Sequence, residues 1–156
     1  WLPILLKSKI VGFDTETKPS FKKGNINGVA LLQLATDDVA LIIRVNILGL
    51  PSPLVKLLEN NKIIKVGAAI RDDIKSLQKI KPFKPEGFID LQTFAKENGI
   101  ENTSVRKLAA IVLNVRVSKS QQLSNWESDH LTEAQLQYAA TDAWICSEIY
   151  KKMKLG

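Results

Sequence analysis

A short hydrophobic run that ends in two carboxylates constrains the fold of this chain more than any other stretch. Ile10, Val11 and Phe13 lead directly into Asp14 and Glu16. Side chains on a β-strand alternate between its two faces, so the two acids point the same way. Paired carboxylates at the end of a buried strand repel each other and are costly to desolvate. A divalent cation between them would remove both costs.

The oxygen ligands of such a pair suit magnesium or manganese, which are hard cations. The alternative is an acidic turn after a strand, with Thr15 and Thr17 helping to cap it. An acidic turn needs no partner elsewhere in the chain. A metal site needs further acids that the fold brings to the same place.

Length and composition indicate one domain spanning residues 1–156, large enough for a sizeable hydrophobic core. No apolar run is long enough to span a bilayer, so we expect no membrane partner. The chain begins at Trp1 without an initiator methionine, so we expect a trimmed piece of a longer protein. A single cysteine, Cys146, rules out an internal disulfide and fits an intracellular setting, cytoplasmic in a bacterium or nuclear in a eukaryote. The sequence carries no signal of oligomeric state.

The charge balance favours an anionic partner. The chain has a formal net charge of +6 and an isoelectric point of about 9.4. Nucleic acid is the foremost partner for such a chain, although many basic proteins bind none. The charge becomes informative when a basic chain also gathers carboxylates at one point, because a metal-dependent site that handles phosphates has that combination.

The first part of the chain predicts three strands, at residues 9–14, 28–36 and 39–43. Asp37 and Asp38 signal a tight turn, so the second and third strands form a hairpin. A polar, basic loop separates the first two strands.

The rest of the chain alternates helices and strands. Ser52 followed by Pro53 is typical of an N-cap and a first helical position. This first helix runs to about residue 60, and a strand at 62–67, a helix at 70–80 and a strand at 87–91 follow it. Helices are then predicted at 92–97 and 104–113, and a polar irregular stretch at 118–130 comes after them. The last helix begins at a capping box at 132–135 and runs towards residue 153. This order predicts an α/β domain with a mixed five-stranded sheet and helices on both faces.

A third acid lies on the apolar face of the predicted helix 70–80. On the helical wheel Asp73 falls between Leu77 and Ile80, whereas Asp72 falls nearly opposite, towards solvent. A buried carboxylate satisfied by backbone donors is the alternative explanation for Asp73.

A fourth acid lies on the last helix. Tyr138 and Asp142 are four residues apart and share one face, which Ile145 and Ile149 continue. This helix is apolar over a wide arc, so Cys146 is most simply a core residue. Acids from three distant parts of the chain are thus directed inward, which is very unfavourable without a metal.

These acidic segments resemble the three motifs of the DEDD 3′–5′ exonucleases. The matching segments are Phe13-Asp14-Thr15-Glu16, residues 66–73 and residues 138–143. Ser124-Asn125-Trp126 also resembles the branch that holds the Werner-syndrome helicase exonuclease domain and its RNase D relatives. The tyrosine subtype has a tyrosine four residues before the last aspartate, as Tyr138 is here. The histidine subtype has a histidine where this chain has Gln137, and we expect the only histidine, His130, to be a surface or turn residue.

The resemblance implies a ribonuclease H-like fold and hydrolysis with two Mg²⁺ or Mn²⁺ ions. Two metals about 3.5–4 Å apart would activate a water and hold the leaving oxygen. Asp14 would bridge both, Glu16 and Asp142 would complete the first site, and Asp73 would support the second, directly or through water. Because a phenol with a pKa of about 10 is a poor base at neutral pH, Tyr138 would position the attacking water.

Basic residues near the motifs are candidates for tracking the phosphate backbone, with solvated surface as the alternative for each. They are Lys18, Lys22, Lys23, Arg71, Lys75 and Lys119. Trp126 is a candidate for stacking on a base, and packing before the last helix is its alternative.

The expected function is a metal-dependent 3′–5′ exonuclease that acts on single strands or recessed 3′ ends. The Werner-like features favour DNA over RNA and a role in DNA repair. The alternatives are a binding module of the same fold without catalysis, an RNase D-like RNA-processing exonuclease, and another ribonuclease H-like nuclease that cuts internally.

Overall fold

A single mixed sheet organises the computed structural model, which describes residues 1–22, 24, 27–101 and 104–155. Its strands are β1 (Ile10–Thr17), β2 (Val29–Ala35), β3 (Ala40–Ile43), β4 (Ile64–Gly67) and β5 (Phe88–Asp90), in the order β3-β2-β1-β4-β5. β1 pairs antiparallel with β2, and β2 with β3, whereas the β1–β4 and β4–β5 pairs are parallel. The predicted hairpin and mixed five-stranded sheet are therefore confirmed.

Most helices lie where their local signals predict them. They are α1 (Leu2–Leu6), α2 (Val45–Leu48), α3 (Ser52–Leu58), α4 (Ile70–Ile80), α5 (Leu91–Glu97), α6 (Val105–Leu108) with a π-helical turn at Ala109–Leu113, and α7 (Glu133–Leu155). The capping box that opens α7 is present, because Thr132 Oγ1 accepts from Gln135 N at 3.1 Å and Gln135 Oε1 accepts from Thr132 N at 2.9 Å.

Three helical details differ from the prediction. α1 and α2 were not predicted, because at five and four residues they are too short to show a clear period. Ser52 is not an N-cap: Pro51 holds that position in an extended conformation, and Ser52 is already helical. The helix predicted at 104–113 changes to a π-helical turn after Leu108.

Helices cover both faces of the sheet, as predicted. On one face, Val11 and Phe13 of β1 join a core with residues of α3 and α4, including Leu57 and Leu77. On the other face, Val66 of β4 packs in a core with α5, α6 and α7. Ile10 and Val11, which are consecutive in β1, therefore pack against different cores.

Two glycines allow close approaches around β1. A Cβ at Gly12 would lie 1.8 Å from Ala143 O, so only glycine lets α7 lie this close to the strand. A Cβ at Gly67 would lie 2.7 Å from Phe13 O, at the point where β4 leads towards α4. The absence of two side chains thus sets how closely the main-chain segments around β1 pack.

Three single-residue predictions are confirmed. Cys146 is buried and free, His130 is exposed, and Asp72 is exposed. Among the described residues, no helix is both long enough and apolar enough to cross a membrane.

Candidate active site

Three carboxylates meet where α7 crosses β1. Asp14 and Glu16 come from β1 and Asp142 from α7, and one oxygen from each lies within 4.8 Å of the others. The alternation of β1 places its two acids on one face, and Gly12 brings α7 onto that face. We call these three residues the carboxylate cluster.

Burial and mutual repulsion make the carboxylate cluster hold protons more tightly than isolated acids do. Burial, and then the charge of Asp142, raises the pKa of Asp14 well above its ordinary value. Burial, and then the charges of Asp14 and Asp142, raises the pKa of Glu16 to about 10. Burial raises the pKa of Asp142 to about 6. A positive charge among these groups would favour their ionised forms.

A buried glutamine orients one member of the cluster. Gln33, on β2 directly opposite Asp14, has no exposed surface. Its Nε2 donates to Glu16 Oε1 at 3.4 Å and to Ala139 O at 3.2 Å, so it links the carboxylate to the backbone of α7. Gln33 was not predicted as a site residue, although a polar residue within the apolar run of β2 is a signal that could have found it.

Asp73 stands outside the carboxylate cluster, on the α4 side of β1. Its Oδ1 accepts a hydrogen bond from Thr15 Oγ1 at 2.6 Å. Burial raises the pKa of Asp73 to about 6, and the bond from Thr15 opposes that rise. The charge of Asp73 still raises the pKa of Asp14, so the two sites are electrostatically coupled. From the sequence, Thr15 was expected only to help cap an acidic turn, yet its alternation with Asp14 along β1 points it towards α4.

Tyr138 shares a cavity of about 330 Å³ with Asp14 and Asp142. Burial, and then the charge of Asp142, raises the pKa of Tyr138 above its ordinary value, so its hydroxyl keeps its proton at neutral pH. The ring packs against Trp126, with centroids 5.9 Å apart. Trp126 is fully buried, so no face of its indole is open to a base, and the packing alternative replaces the stacking prediction.

Of the predicted phosphate-tracking residues, only Lys119 is among the described residues that line this cavity. Lys22, Arg71 and Lys75 are exposed, Lys18 is half-buried, and Lys23 lies outside the described residues. The cavity is also lined by Arg106 of α6, which the sequence analysis did not select. Its positive charge lowers the pKa of Asp142 and of Tyr138, partly offsetting burial. No local signal marks Arg106, because it lies far along the chain from the three acidic segments.

The carboxylate cluster fits a hard divalent cation. Its ligands are all oxygens, they converge from two elements, and burial and mutual repulsion raise the pKa values of Asp14 and Glu16. Mg²⁺ and Mn²⁺ both prefer such donors.

The whole described chain also matches a known family. A family model described as 3′–5′ exonuclease matches residues 1–155. The chain belongs to the 3′–5′ exonuclease family. It is therefore a member of a hydrolase family, and the resemblance to the DEDD exonucleases is confirmed.

Two similar proteins show the breadth of the 3′–5′ exonuclease family. The mouse bifunctional 3′–5′ exonuclease/ATP-dependent helicase WRN is 35% identical over 150 residues, covering 92% of this chain and 11% of that protein. Ribonuclease D of Haemophilus influenzae is 34% identical over 100 residues, covering 64% of this chain and 25% of that protein. The chain thus spans about a tenth and a quarter of these relatives.

A solved structure confirms the predicted fold. The EXO domain of Aedes aegypti Nibbler superposes with a TM-score of 0.86 and 28% sequence identity, covering 99% of this chain and 81% of that one. The ribonuclease H-like architecture of the 3′–5′ exonuclease family is therefore the fold of this chain.

Proposed function

We propose that this chain hydrolyses phosphodiester bonds one at a time from the 3′ end of a nucleic acid strand, with divalent cations. The observation that carries the proposal is the cluster of Asp14, Glu16 and Asp142, two of which, Asp14 and Asp142, line one cavity with the protonated hydroxyl of Tyr138. Membership of the 3′–5′ exonuclease family supports it. An inactive binding module would have no need of three carboxylates that repel one another.

The roles of the residues follow from their positions. Asp14, Glu16 and Asp142 would hold one Mg²⁺ or Mn²⁺ ion, and Asp14 with Asp73 would support a second. Bound cations would supply charge neutralisation for the phosphate and the leaving oxygen. Tyr138 keeps its proton on Oη, so it orients the attacking water by hydrogen bonding and does not remove its proton.

We favour DNA over RNA as the substrate. The sequence similarity to the mouse exonuclease/helicase extends over 92% of this chain, whereas the sequence similarity to ribonuclease D of Haemophilus influenzae extends over 64%. A role in DNA repair is part of this proposal, and RNase D-like RNA processing is the second candidate. We further propose an intracellular location, which the single buried thiol of Cys146 supports and which imaging of the tagged full-length protein would test.

The function is tested with 3′ ends of different kinds. Single-stranded DNA and RNA of one sequence, and a duplex with a recessed 3′ end, carry a 5′ label and are incubated with Mg²⁺, Mn²⁺ or a chelator. We expect a ladder that shortens from the 3′ end, faster on DNA, and no products in the chelator. Internal cuts would favour an endonuclease, and binding without cleavage an inactive module.

Asp14→Ala is the decisive variant, with Asp72→Ala as its control. Both remove one carboxylate, but Asp72 is exposed and outside the cluster. We expect Asp14→Ala to abolish hydrolysis while the circular dichroism spectrum is unchanged, and Asp72→Ala to keep normal activity. Hydrolysis by a folded Asp14→Ala protein would overturn the assignment of the metal site.

A further inference from the structure

A second, larger cavity of about 800 Å³ adjoins the active-site cavity along α6. The two cavities share Arg106, Val117, Ser118 and Lys119 in their linings, so they form one continuous depression. The outer part extends past the π-helical turn to Arg116. We call this depression the α6 groove.

The charge of the α6 groove changes along its length. Its inner end holds Asp14 and Asp142, whereas the outer cavity is lined by Arg106, Arg116 and Lys119, with no carboxylate among its described lining residues. A strip of positive charge thus leads away from the acidic centre, as a polyanion held by its end would require.

The three basic side chains of the α6 groove leave their N–H groups free for a ligand. In the described ranges, none of them makes a hydrogen bond or an ion pair with another side chain. Arg106 is half-buried and acts on Asp142 through its charge alone, so its guanidinium has lost hydration that a ligand could replace. Arginine presents a planar fork of N–H donors that matches a phosphate in two contacts.

A third depression, which Tyr138 and Asp142 also line, offers another way out of the active site. It has a volume of about 230 Å³ and lies between residues 117–120 and α7, where Gln137 and Thr141 line it. None of the described residues that line it is basic. A phosphate backbone would lose hydration there without gaining a positive partner, so the α6 groove is the better path.

We propose that the single strand leading back from the 3′ end lies in the α6 groove, with Arg106 on the phosphate nearest the reacting one and Arg116 on a phosphate farther along. This inference rests on the proposed function, because it assigns a path to the substrate of the same site. In this arrangement Arg106 contacts every substrate that is hydrolysed. Arg116 contacts only those strands that are long enough to reach it.

The first test measures binding, which requires no catalysis. Labelled single-stranded DNA of two and ten nucleotides is titrated in a chelator at several salt concentrations, and affinity is read from fluorescence anisotropy. We expect Arg116→Ala to weaken binding of the ten-nucleotide strand by about threefold and Arg106→Ala by about tenfold. Each variant lowers the slope of log affinity against log salt by about 0.7, the value for one lost phosphate contact on a single strand.

The controls separate charge from folding. Lys56→Ala removes a positive charge from an exposed position on α3, across the sheet from the groove, and should change neither affinity nor slope. Arg116→Lys keeps the charge and should keep the slope, although it loses the second contact.

The second test measures turnover on the same two lengths. Arg116→Ala should raise KM more for the ten-nucleotide strand than for the dinucleotide, because only the longer strand reaches it. If both alanine variants match Lys56→Ala in binding and KM while the wild type degrades DNA, the path is wrong and the proposed function stands. If the wild type degrades nothing, the proposed function fails, and the salt slopes still decide whether the groove binds strands.

Discussion

The two faces of β1 hold their acids in different ways. On the α7 face, Asp14, Glu16 and Asp142 crowd together, and Gln33 donates a long hydrogen bond of 3.4 Å to Glu16. On the α4 face, Asp73 accepts a short bond from a threonine hydroxyl that lowers its pKa. One face is incomplete until a cation arrives, whereas the other has its acid partly satisfied beforehand. We therefore expect the α7 face to bind a first cation tightly and the α4 face to bind a second cation more weakly.

The largest effect on stability should come from adding a side chain at Gly12, where α7 packs closely on β1. In Gly12→Ala the new Cβ would meet a backbone oxygen that cannot move without displacing α7, so we expect a loss of about 3 kcal/mol in the free energy of unfolding, or no folded protein. Gly67→Ala should cost less, because one of its near contacts is the movable side chain of Ile70. Urea denaturation checks both, with Gly28→Ala as the control, since nothing lies within 4 Å of its added Cβ. Equal stability of Gly12→Ala and the control would refute the close contact.

The second largest effect should be on cation affinity, which should differ between the α7 face and the α4 face of β1. We expect Asp142→Asn to weaken the first Mn²⁺ binding event by about 100-fold, because it removes a direct ligand of the carboxylate cluster, and Asp73→Asn to weaken the second binding event by about tenfold. Calorimetric titration in the absence of nucleic acid measures both. Weakening of the same event in both variants would mean that Asp73 and Asp142 hold the same ion.

The pH dependence of stability should follow from the raised pKa values. Asp73 and Asp142 titrate near 6 in the folded protein and near 3.8 when unfolded, so the folded state binds their protons more tightly. Their contribution is fully present below about pH 4 and is lost as the pH rises through about 6. In a chelator the thermal midpoint should therefore fall over that window, while saturating Mg²⁺ should restore it increasingly at higher pH. A flat midpoint in the chelator would contradict these pKa shifts, and Asp142→Asn should flatten part of the slope.

The smallest effect should come from the bond on the α4 face. Thr15→Val removes the hydroxyl that opposes the raised pKa of Asp73, so activity should fall about threefold to tenfold and the acidic limb of the pH–rate profile should move to higher pH. Thr15→Ser keeps the hydroxyl and should keep the profile. If serine and valine behaved alike, the methyl group rather than the hydrogen bond would be what matters.

The sequence predicted the parts of the site that depend on local periodicity. The alternation of β1 placed Asp14 and Glu16 on one face, and the 3.6-residue period of α4 separated Asp73 from Asp72. The bounds of α4 match the prediction, because its apolar face is periodic as far as Ile80 and Pro82 disfavours a helical conformation at Lys81, which is extended.

The site residues that the sequence did not predict depend on how distant elements of the chain pack together. Gln33 reaches Glu16 only through the β1–β2 register, and Thr15 reaches Asp73 only because α4 packs on that side of the strand. Arg106 enters the cavity through the packing of α6, which no local pattern encodes. Trp126 has the aromatic side chain that stacking on a base requires, and only its burial in the fold shows that it packs against the protein instead.

The close contact between Gly12 and Ala143 also bears on how the protein is made. Asp14 lies in the first strand of the sheet, and Asp142 lies in the helix that is synthesised last among the described elements. The carboxylate cluster cannot form on a ribosome until α7 has emerged and seated itself on β1. A nascent chain therefore carries its first two acids without the third until α7 has been made, and its carboxylate cluster arises only when α7 packs on β1.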